Sequence, residues 1–237
     1  SRLLNSLQRL KAVSKVLSEI DSLQSLAAVA RKNNYSRPRF SNDGKVKISN
    51  SRHPIVERFV SDFTPNDVSL SRSENFFIVT GPNMSGKSTF IRQVALLSIM
   101  AQVGSFVPAD EALLSIHDRV FTRIGARDEL ASGKSTFLVE MMETATILSK
   151  ATEDSLVILD EVGRGTSTFD GISIAWAVSE FIYEAVGCHT IFATHFTELT
   201  ELSNMYPGIK NKTVRIIETD SGIVFLHKVI DGVANSS

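Results

Sequence analysis

The first apolar pattern in the chain is helical. Leucine and valine recur at steps of three and four residues across residues 3–30, and no proline interrupts them. The stretch that follows, RKNNYSRPRFSNDGK, contains a proline, a glycine and several asparagines, which end such a pattern. We therefore predict a helical segment over residues 1–45 and a separate domain over residues 46–237.

Beyond residue 46 the pattern changes to short apolar runs that alternate with helical stretches. FFIVT (76–80), LVILD (156–160) and HTIFAT (189–194) are nearly continuous in apolar residues, as in the buried strands of parallel sheets. Two later runs, TVRIIET and IVFLHKVI, flank DSG and predict a hairpin. Helical periodicity lies near residues 87–102, 135–151 and 170–186. This alternation predicts an α/β fold whose mostly parallel sheet is flanked by helices.

Composition narrows the class of protein. The 237 residues carry a net charge of −1, and no apolar stretch approaches the roughly 20 residues that span a bilayer. Residues 1–50 are basic, with ten Lys and Arg against three Asp and Glu. A basic segment is either a nucleic-acid footprint or a solvated helix face, and the lack of interleaved aromatic residues favours the solvated face. The single cysteine, Cys188, rules out an internal disulfide and suits a reducing cytosol.

The strongest motif is GPNMSGKST, at residues 81–89, which follows FFIVT and precedes a helical pattern. Gly81, Gly86, Lys87 and Ser88 match G-x-x-x-x-G-K-[ST] in the strand–loop–helix context of a phosphate loop. The glycines let backbone N–H groups turn inward toward phosphate oxygens, the lysine adds a positive charge, and the serine hydroxyl can bind Mg²⁺. We therefore predict a P-loop NTPase rather than a glycine-rich turn without a ligand.

Two acids supply the rest of the predicted chemistry. Asp160 and Glu161 end the predicted strand LVILD, and ligands of such sheets bind outside the carboxyl ends of the strands. Asp160 is expected to hold Mg²⁺ through water, and Glu161 to orient or deprotonate the attacking water. His195 ends the next strand, where it either hydrogen-bonds a γ-phosphate or attacking water, or faces solvent; spacing alone favours neither.

The tetrapeptide GKST returns at residues 133–136, but this copy fails the phosphate-loop test. Asp128 occupies the position of the upstream glycine, and the preceding residues are polar. The copy is typical of a helix start, with Ser132 or Ser135 as N-cap. An exposed helix N-terminus contributes only about 0.3–1 kcal/mol toward an anion, so this copy cannot hold ATP alone. It is either an ordinary cap or one side of a site built mainly by other residues.

Four strings together resemble one family. They are TGPNMSGKST, FTRIGARDELASGKSTFLVEM, LVILDEVGRGTSTFDG and FATHFTEL, and they resemble the ATPase domain of the MutS-family DNA mismatch-repair proteins, in the ABC ATPase superfamily. The resemblance covers about residues 50–235, and the basic helical start resembles the end of the lever region that precedes that domain. It implies ATP or ADP with Mg²⁺ as ligands and a Mg²⁺-dependent ATPase. The loop residues implied to bind nucleotide are Gly81, Pro82, Asn83, Met84, Ser85, Gly86, Lys87, Ser88 and Thr89.

The resemblance also assigns residues to a shared site. ABC-type ATPase domains dimerise head to tail, so that each nucleotide lies between one copy's phosphate loop and the other copy's signature helix. Ser135 would then reach a γ-phosphate held by the second copy. Arg164 and residues 166–168 would cross that interface.

Further roles are implied at single positions. Gln102 would sense Mg²⁺ and the attacking water, and His195 would act as a switch histidine. Phe63 and His227 would pack against the adenine ring, although an aromatic residue such as Phe63 is also typical of a core. With Lys87 and Glu161, Gln102 and His195 complete the predicted catalytic set, and Ser88 and Asp160 are the predicted metal ligands.

The resemblance implies partners outside residues 1–237. The family's mismatch-reading module, which precedes this domain, and its C-terminal helical dimerisation element are missing from the sequence. We therefore expect mismatched DNA and downstream repair proteins to be partners of the whole protein, in which ATP would switch the mismatch-recognition clamp. We expect this chain alone to have little mismatch affinity, in keeping with its near-neutral charge. A location in the cytoplasm, with the nucleoid, is expected for a bacterial protein, and a nuclear or organellar one otherwise.

Other functions stay open at this stage. One is a branch of the same family that carries an Smr nuclease domain, although NMSGKST and GRGTSTFDG look closer to the repair branch. Another is a nucleotide-gated interaction module whose turnover is incidental. A transporter subunit is disfavoured, because LASGKST is not an LSGGQ-type signature.

Overall fold

The computed structural model describes residues 2–125, 136–219 and 222–233. Helices form where the periodicity predicts them, and short 3₁₀ turns lie at Val56–Arg58 and Thr197–Glu201. A π-helical turn, Ile182–Val186, extends the fourth helix. The α-helices in the described residues are α1 Arg2–Lys32, α2 Lys87–Gln102, α3 Thr136–Lys150, α4 Thr168–Phe181 and α5 Leu202–Met205.

The strands form two sheets. Those described are β1 Arg39–Ser41, β2 Val46–Ser51, β3 Asn66–Leu70, β4 Phe76–Thr80, β5 Glu111–Ser115, β6 Val120–Arg123, β7 Leu156–Asp160, β8 His189–Ala193, β9 Ile209–Thr219 and β10 Gly222–Asp231. The larger sheet has the order β10-β9-β4-β8-β7-β6, and its pairs are parallel except for the antiparallel hairpin β9–β10. The α/β prediction, its three buried strands and the hairpin are confirmed.

The central strands are apolar throughout because both faces of the larger sheet are covered. In β4, Phe77 and Val79 pack with α2, whereas Phe76 and Ile78 pack with α4 on the other face. Every residue of β4, β7 and β8 is buried. Since successive side chains of a strand point to opposite faces, two covered faces require a continuous apolar run.

A second, four-stranded sheet was not predicted. Its order is β1-β5-β2-β3, and Val46, Ile48 and Val68 share the core cluster that contains α2. Buried and exposed positions largely alternate in β2 and β3, and the exposed positions of these two strands are polar or charged. One face of the larger sheet is therefore covered by α2 together with this smaller sheet, and not by helices alone.

Helix α1 projects from this body and is held at its C-terminal end. Its side chains are largely exposed between residues 6 and 29, whereas Tyr35 donates a hydrogen bond to Glu57 Oε1 at 3.0 Å. Arg52 lies 2.7 Å from Glu57 and donates to the carbonyl oxygen of Asn33 at 3.2 Å. The domain boundary at residue 45 stays a prediction. Within the described residues, no helix is both long and apolar enough to cross a membrane.

Candidate nucleotide-binding site

Residues 81–86 join the end of β4 to α2, and residues 87–89 of the motif form the first turn of that helix. Gly81 and Gly86 have φ values of 142° and 105°, which disfavour any residue with a side chain. Met84 adopts a φ of 63° and is 89% exposed, so the tip of the loop faces solvent. The hydroxyl of Ser85 is buried and has no hydrogen-bond partner within the described residues. This strand–loop–helix arrangement is the one that the motif predicts for a phosphate loop.

Lys87 is turned toward this loop. Its ammonium donates to the carbonyl oxygens of Gly81 at 2.7 Å and Pro82 at 2.9 Å, and the residue is 5% exposed. Burial lowers the pKa of Lys87, while the carboxylates of Glu161 and Asp160 act in the opposite direction. The structure thus brings the predicted lysine and both predicted acids into one electrostatic neighbourhood.

Ser88 and Asp160 meet directly. The serine hydroxyl donates to Asp160 Oδ1 at 3.0 Å, and Arg92 Nη2 lies 3.2 Å from Asp160 Oδ2. Asp160 is buried, and a buried carboxylate requires such partners. The described residues contain no group of three or more His, Cys, Asp or Glu side chains that could hold a metal ion unaided. A serine and one carboxylate fit Mg²⁺, which keeps several waters and binds substrate phosphates.

Glu161 begins a sharp turn at the end of β7. Its φ is 56°, and its N–H donates to the carbonyl oxygen of Ala193 at 2.8 Å, which ties the turn to β8. Its carboxylate pairs with the exposed side chain of Arg164. The acid that is predicted to act on water therefore stands at the carboxyl edge of the sheet, next to the end of β8.

His195 follows β8 at the same edge. The N–H of Thr194 donates to the carbonyl oxygen of Val79 at 3.0 Å, which aligns the strand end with that of β4. Partial desolvation lowers the pKa of His195, and the Glu161 carboxylate opposes that effect. The residue is exposed and lies within electrostatic reach of Glu161 and Lys87.

Of the two predicted adenine contacts, His227 reaches the loop. His227 Nδ1 donates to the carbonyl oxygen of Ser85 at 2.7 Å. Asn66 Nδ2 donates to the carbonyl oxygen of His227 at 3.0 Å, and Asn66 Oδ1 accepts from the N–H of Val229 at 2.7 Å. Phe63 is half-buried and lies three residues before Asn66. The two predicted adenine contacts thus come from segments that are bound to each other.

One predicted residue is not brought to the site. Gln102 is the last residue of α2, about 22 Å along the helix axis from Lys87 at 1.5 Å per residue. Its amide is occupied by the backbone of His117, with hydrogen bonds of 3.0 and 2.8 Å. The assignment of Gln102 to Mg²⁺ and the attacking water is therefore wrong. Ser135 lies outside the described residues.

The sequence analysis did not identify three residues that bind the site residues or the segments that carry them. Arg92 pairs with Asp160, Asn66 joins β3 to β10, and Glu140 of α3 accepts a hydrogen bond from the N–H of Gly163. Arg92 and Glu140 are charged residues on helices, where periodicity alone places such residues in solvent. A pairing between distant segments leaves no local signal in the sequence.

Comparison with known proteins identifies the family of the chain. Residues 77–237 match the family model described as MutS domain V. The chain is 63% identical over 225 residues to the DNA mismatch repair protein MutS of Pseudothermotoga lettingae, covering 95% of this chain and 28% of that protein. It is 61% identical over 228 residues to the protein of the same name from Thermosipho melanesiensis, covering 96% and 28%. The chain thus spans about 28% of the length of these relatives. It belongs to the MutS family, and it carries that family's domain V.

Proposed function

We propose that this domain binds ATP with Mg²⁺ at the loop of residues 81–89 and hydrolyses it to ADP and phosphate, as the ABC-type ATPase domain of a DNA mismatch-repair protein. The observation that carries the proposal is the meeting of Ser88, on the phosphate loop, with Asp160 at the end of β7, 3.0 Å apart. A phosphate cradle and a carboxylate on a neighbouring strand are the two parts that a P-loop NTPase requires.

Different residues of the chain bind the phosphates and the Mg²⁺ of the bound nucleotide. The backbone N–H groups of residues 83–89 surround the phosphates, and Lys87 exchanges its two carbonyl partners for phosphate oxygens. Each charge-assisted hydrogen bond of this kind contributes about 1.5–3 kcal/mol. Ser88 and Asp160 would hold Mg²⁺, directly or through water. When bound, Mg²⁺ would neutralise the charge that develops on the phosphate oxygens.

Glu161 and His195 act on the attacking water. Glu161 stands at the carboxyl edge of the sheet and accepts or directs a proton of the water. His195 orients the water or the γ-phosphate through a hydrogen bond. Arg164, which pairs with Glu161, must release the carboxylate for this role. On the other side of the loop, Phe63 and His227 pack against the adenine ring.

A second copy of the domain completes the site. The bonds available at the phosphate loop can hold ATP within one copy, whereas the second GKST can only add to a nucleotide that is already bound. We infer that Ser135 contacts the γ-phosphate of ATP in the other copy of a head-to-tail dimer. ATP would then control assembly, and through it the mismatched-DNA and repair-protein contacts that the parts of the protein outside this chain would make.

The test is ATP turnover by this chain with Glu161→Gln and, as a matched control, Glu153→Gln. Glu153 is exposed and lies just before the amino-terminal end of β7, away from the site. Glu161→Gln should lower kcat by about 10²–10⁴ while ATP still binds, and Glu153→Gln should not change kcat. If the unaltered chain and Glu161→Gln were equally inert while ATP still changed assembly, a nucleotide-gated interaction module would replace this proposal.

A further inference from the structure

A buried carboxylate lies behind the turn that carries Glu161. Glu140 is 4% exposed and lies on the buried side of α3, together with Thr144 and Ile147. Glutamate is almost never buried to this degree unless it is paired. Its burial therefore points to a specific task for the carboxylate.

Both oxygens of Glu140 have partners on other segments. Oε1 accepts a hydrogen bond from the N–H of Gly163, in the turn after β7. Oε2 lies 3.3 Å from Nη2 of Arg123, which ends β6 and is itself 4% exposed. Arg123 also lies 3.2 Å from a carboxylate oxygen of Glu143, but that glutamate is 49% exposed. Glu140 thus joins α3, β6 and the turn at one buried point.

The turn needs such support because its backbone is strained. Glu161 and Gly163 have φ values of 56° and 91°, so two of three consecutive residues are left-handed. A non-glycine residue keeps this conformation only when its surroundings fix it. The N–H of Glu161 is fixed by Ala193, and the N–H of Gly163 is fixed by Glu140.

We propose that Glu140 is a positioning residue for ATP hydrolysis. By holding the N–H of Gly163, it sets the direction in which the carboxylate of Glu161 points, and Arg123 holds Glu140 in place for that purpose. This inference rests on the proposed role of Glu161. It adds a buried residue of α3, outside the loop and strand motifs, to those on which turnover depends.

The test separates the effect of side-chain length at residue 140 from the effect of its charge. Glu140→Asp keeps the charge that faces Arg123 but withdraws the carboxylate from Gly163. Glu140→Gln keeps an acceptor at full length but removes that charge. Glu143→Asp is the matched control, since it makes the same change on the same helix at another partner of Arg123. Each variant of the 237-residue chain is measured for kcat, for ATP affinity and for the midpoint of thermal unfolding.

If Glu140 positions the turn, Glu140→Asp lowers kcat at least about tenfold with ATP affinity unchanged, because small misplacements of a catalytic group have large effects on rate. Glu140→Gln keeps kcat within about threefold but unfolds at a lower temperature, since it leaves Arg123 short of a buried partner. Glu143→Asp changes neither quantity. If Glu140 and Arg123 form only a structural ion pair, Glu140→Gln lowers kcat more than Glu140→Asp does. That order of kcat values would overturn the proposal.

Glu161→Gln, measured alongside, separates this inference from the proposed function. If Glu161→Gln is inactive while Glu140→Asp turns over normally, Glu140 has no positioning role and the proposed function stands. If Glu161→Gln turns over like the unaltered chain, the proposed role of Glu161 fails, and the role of Glu140 fails with it.

Discussion

Acidification should destabilise this domain through two histidines at the amino-terminal end of the central sheet. His117 Nε2 and His189 Nδ1 lie 3.1 Å apart, and His117 Nδ1 lies 2.9 Å from the hydroxyl of Ser98. The two histidines are 4% and 3% exposed. In a hydrogen-bonded chain of this kind both rings are neutral, and a proton on either ring would place a charge in the interior.

The structure sets the size of the effect. Burial lowers the pKa of His117 and of His189 from 6.5 to about 4. The unfolded chain therefore binds protons at a higher pH than the folded chain, so stability is full above pH 6.5 and falls as the pH drops from 6.5 toward 4. At pH 5 the loss is about 2 kcal/mol for each histidine, or about 4 kcal/mol for the pair. For a domain of this size that corresponds to a fall in Tm of roughly 8–16 °C.

The assay is the Tm at pH 7.5, 6 and 5 by circular dichroism, for the unaltered chain and for His189→Asn. The variant keeps a polar atom near His117 but does not titrate, so its loss between pH 7.5 and 5 should be smaller by about 2 kcal/mol. His227→Asn is the control, because His227 is exposed and has a φ of 53°, which asparagine tolerates. The reasoning is refuted if His189→Asn loses as much stability between these pH values as the unaltered chain.

Three further predictions concern the site. Gly163→Ala should abolish turnover and lower the Tm. A Cβ at this position would lie 2.5 Å from the carbonyl oxygen of Gly171, and the left-handed backbone adds about 1–2 kcal/mol of strain. An active variant with an unchanged Tm would contradict this prediction. Asn66→Ala should weaken ATP binding about tenfold with little change in kcat, since it releases the segment that carries His227. Titration with a fluorescent nucleotide measures the ATP affinity, and an unchanged affinity would contradict the prediction. In a hydrolysis-deficient background, Ser135→Ala should weaken an ATP-dependent dimer in sedimentation while sparing ATP binding, and a chain that stays monomeric with bound ATP would leave the second GKST as a helix cap only.

The strand, loop and helix around residues 81–89 could be predicted from sequence because the signals that mark them are local. Nine consecutive residues carry the glycines, the lysine and the serine, and the strand before them and the helix after them are marked by their own apolar patterns. Asp160 and Glu161 could be located for the same reason, since a strand end fixes where they stand. In each case one short segment determines both the residue and its position.

The interior of α3 could not be predicted in this way. Its periodicity predicts one apolar face that contains Phe137, Met141, Ala145 and Leu148. The first two and Leu148 are partly buried, whereas Ala145 is exposed and Glu140 is buried. The rotation of the helix follows from the partners of Glu140, which lie on β6 and in the turn after β7. Hydrophobic periodicity cannot indicate a pairing between charged or polar groups of distant segments.

Gln102, in contrast, is a residue that the sequence analysis assigned to the site and the structure places elsewhere. Its predicted role comes from the motif string alone, although helical geometry separates it from Lys87 by about 22 Å. The helical pattern over residues 87–102 is continuous in the sequence, so the rise of a helix is by itself enough to exclude the assignment. A motif residue is a candidate for a site only if the element that carries it can reach that site.

Backbone strain unites the parts of the site that sequence did not connect. Met84, Glu161 and His227 have φ values of 63°, 56° and 53°, and they come from three segments far apart in the chain. Each left-handed residue costs about 1–2 kcal/mol, so the three together cost an appreciable part of a domain's stability of about 5–15 kcal/mol. For two of them the structure shows what holds the strained residue: Glu161 donates to Ala193, and His227 donates to Ser85. These bonds run to the main chain of another segment, so any neighbouring residue type could accept them. The geometry of the site is therefore encoded in the packing of the whole domain, and substitutions that loosen that packing should impair the site even where every motif residue is kept.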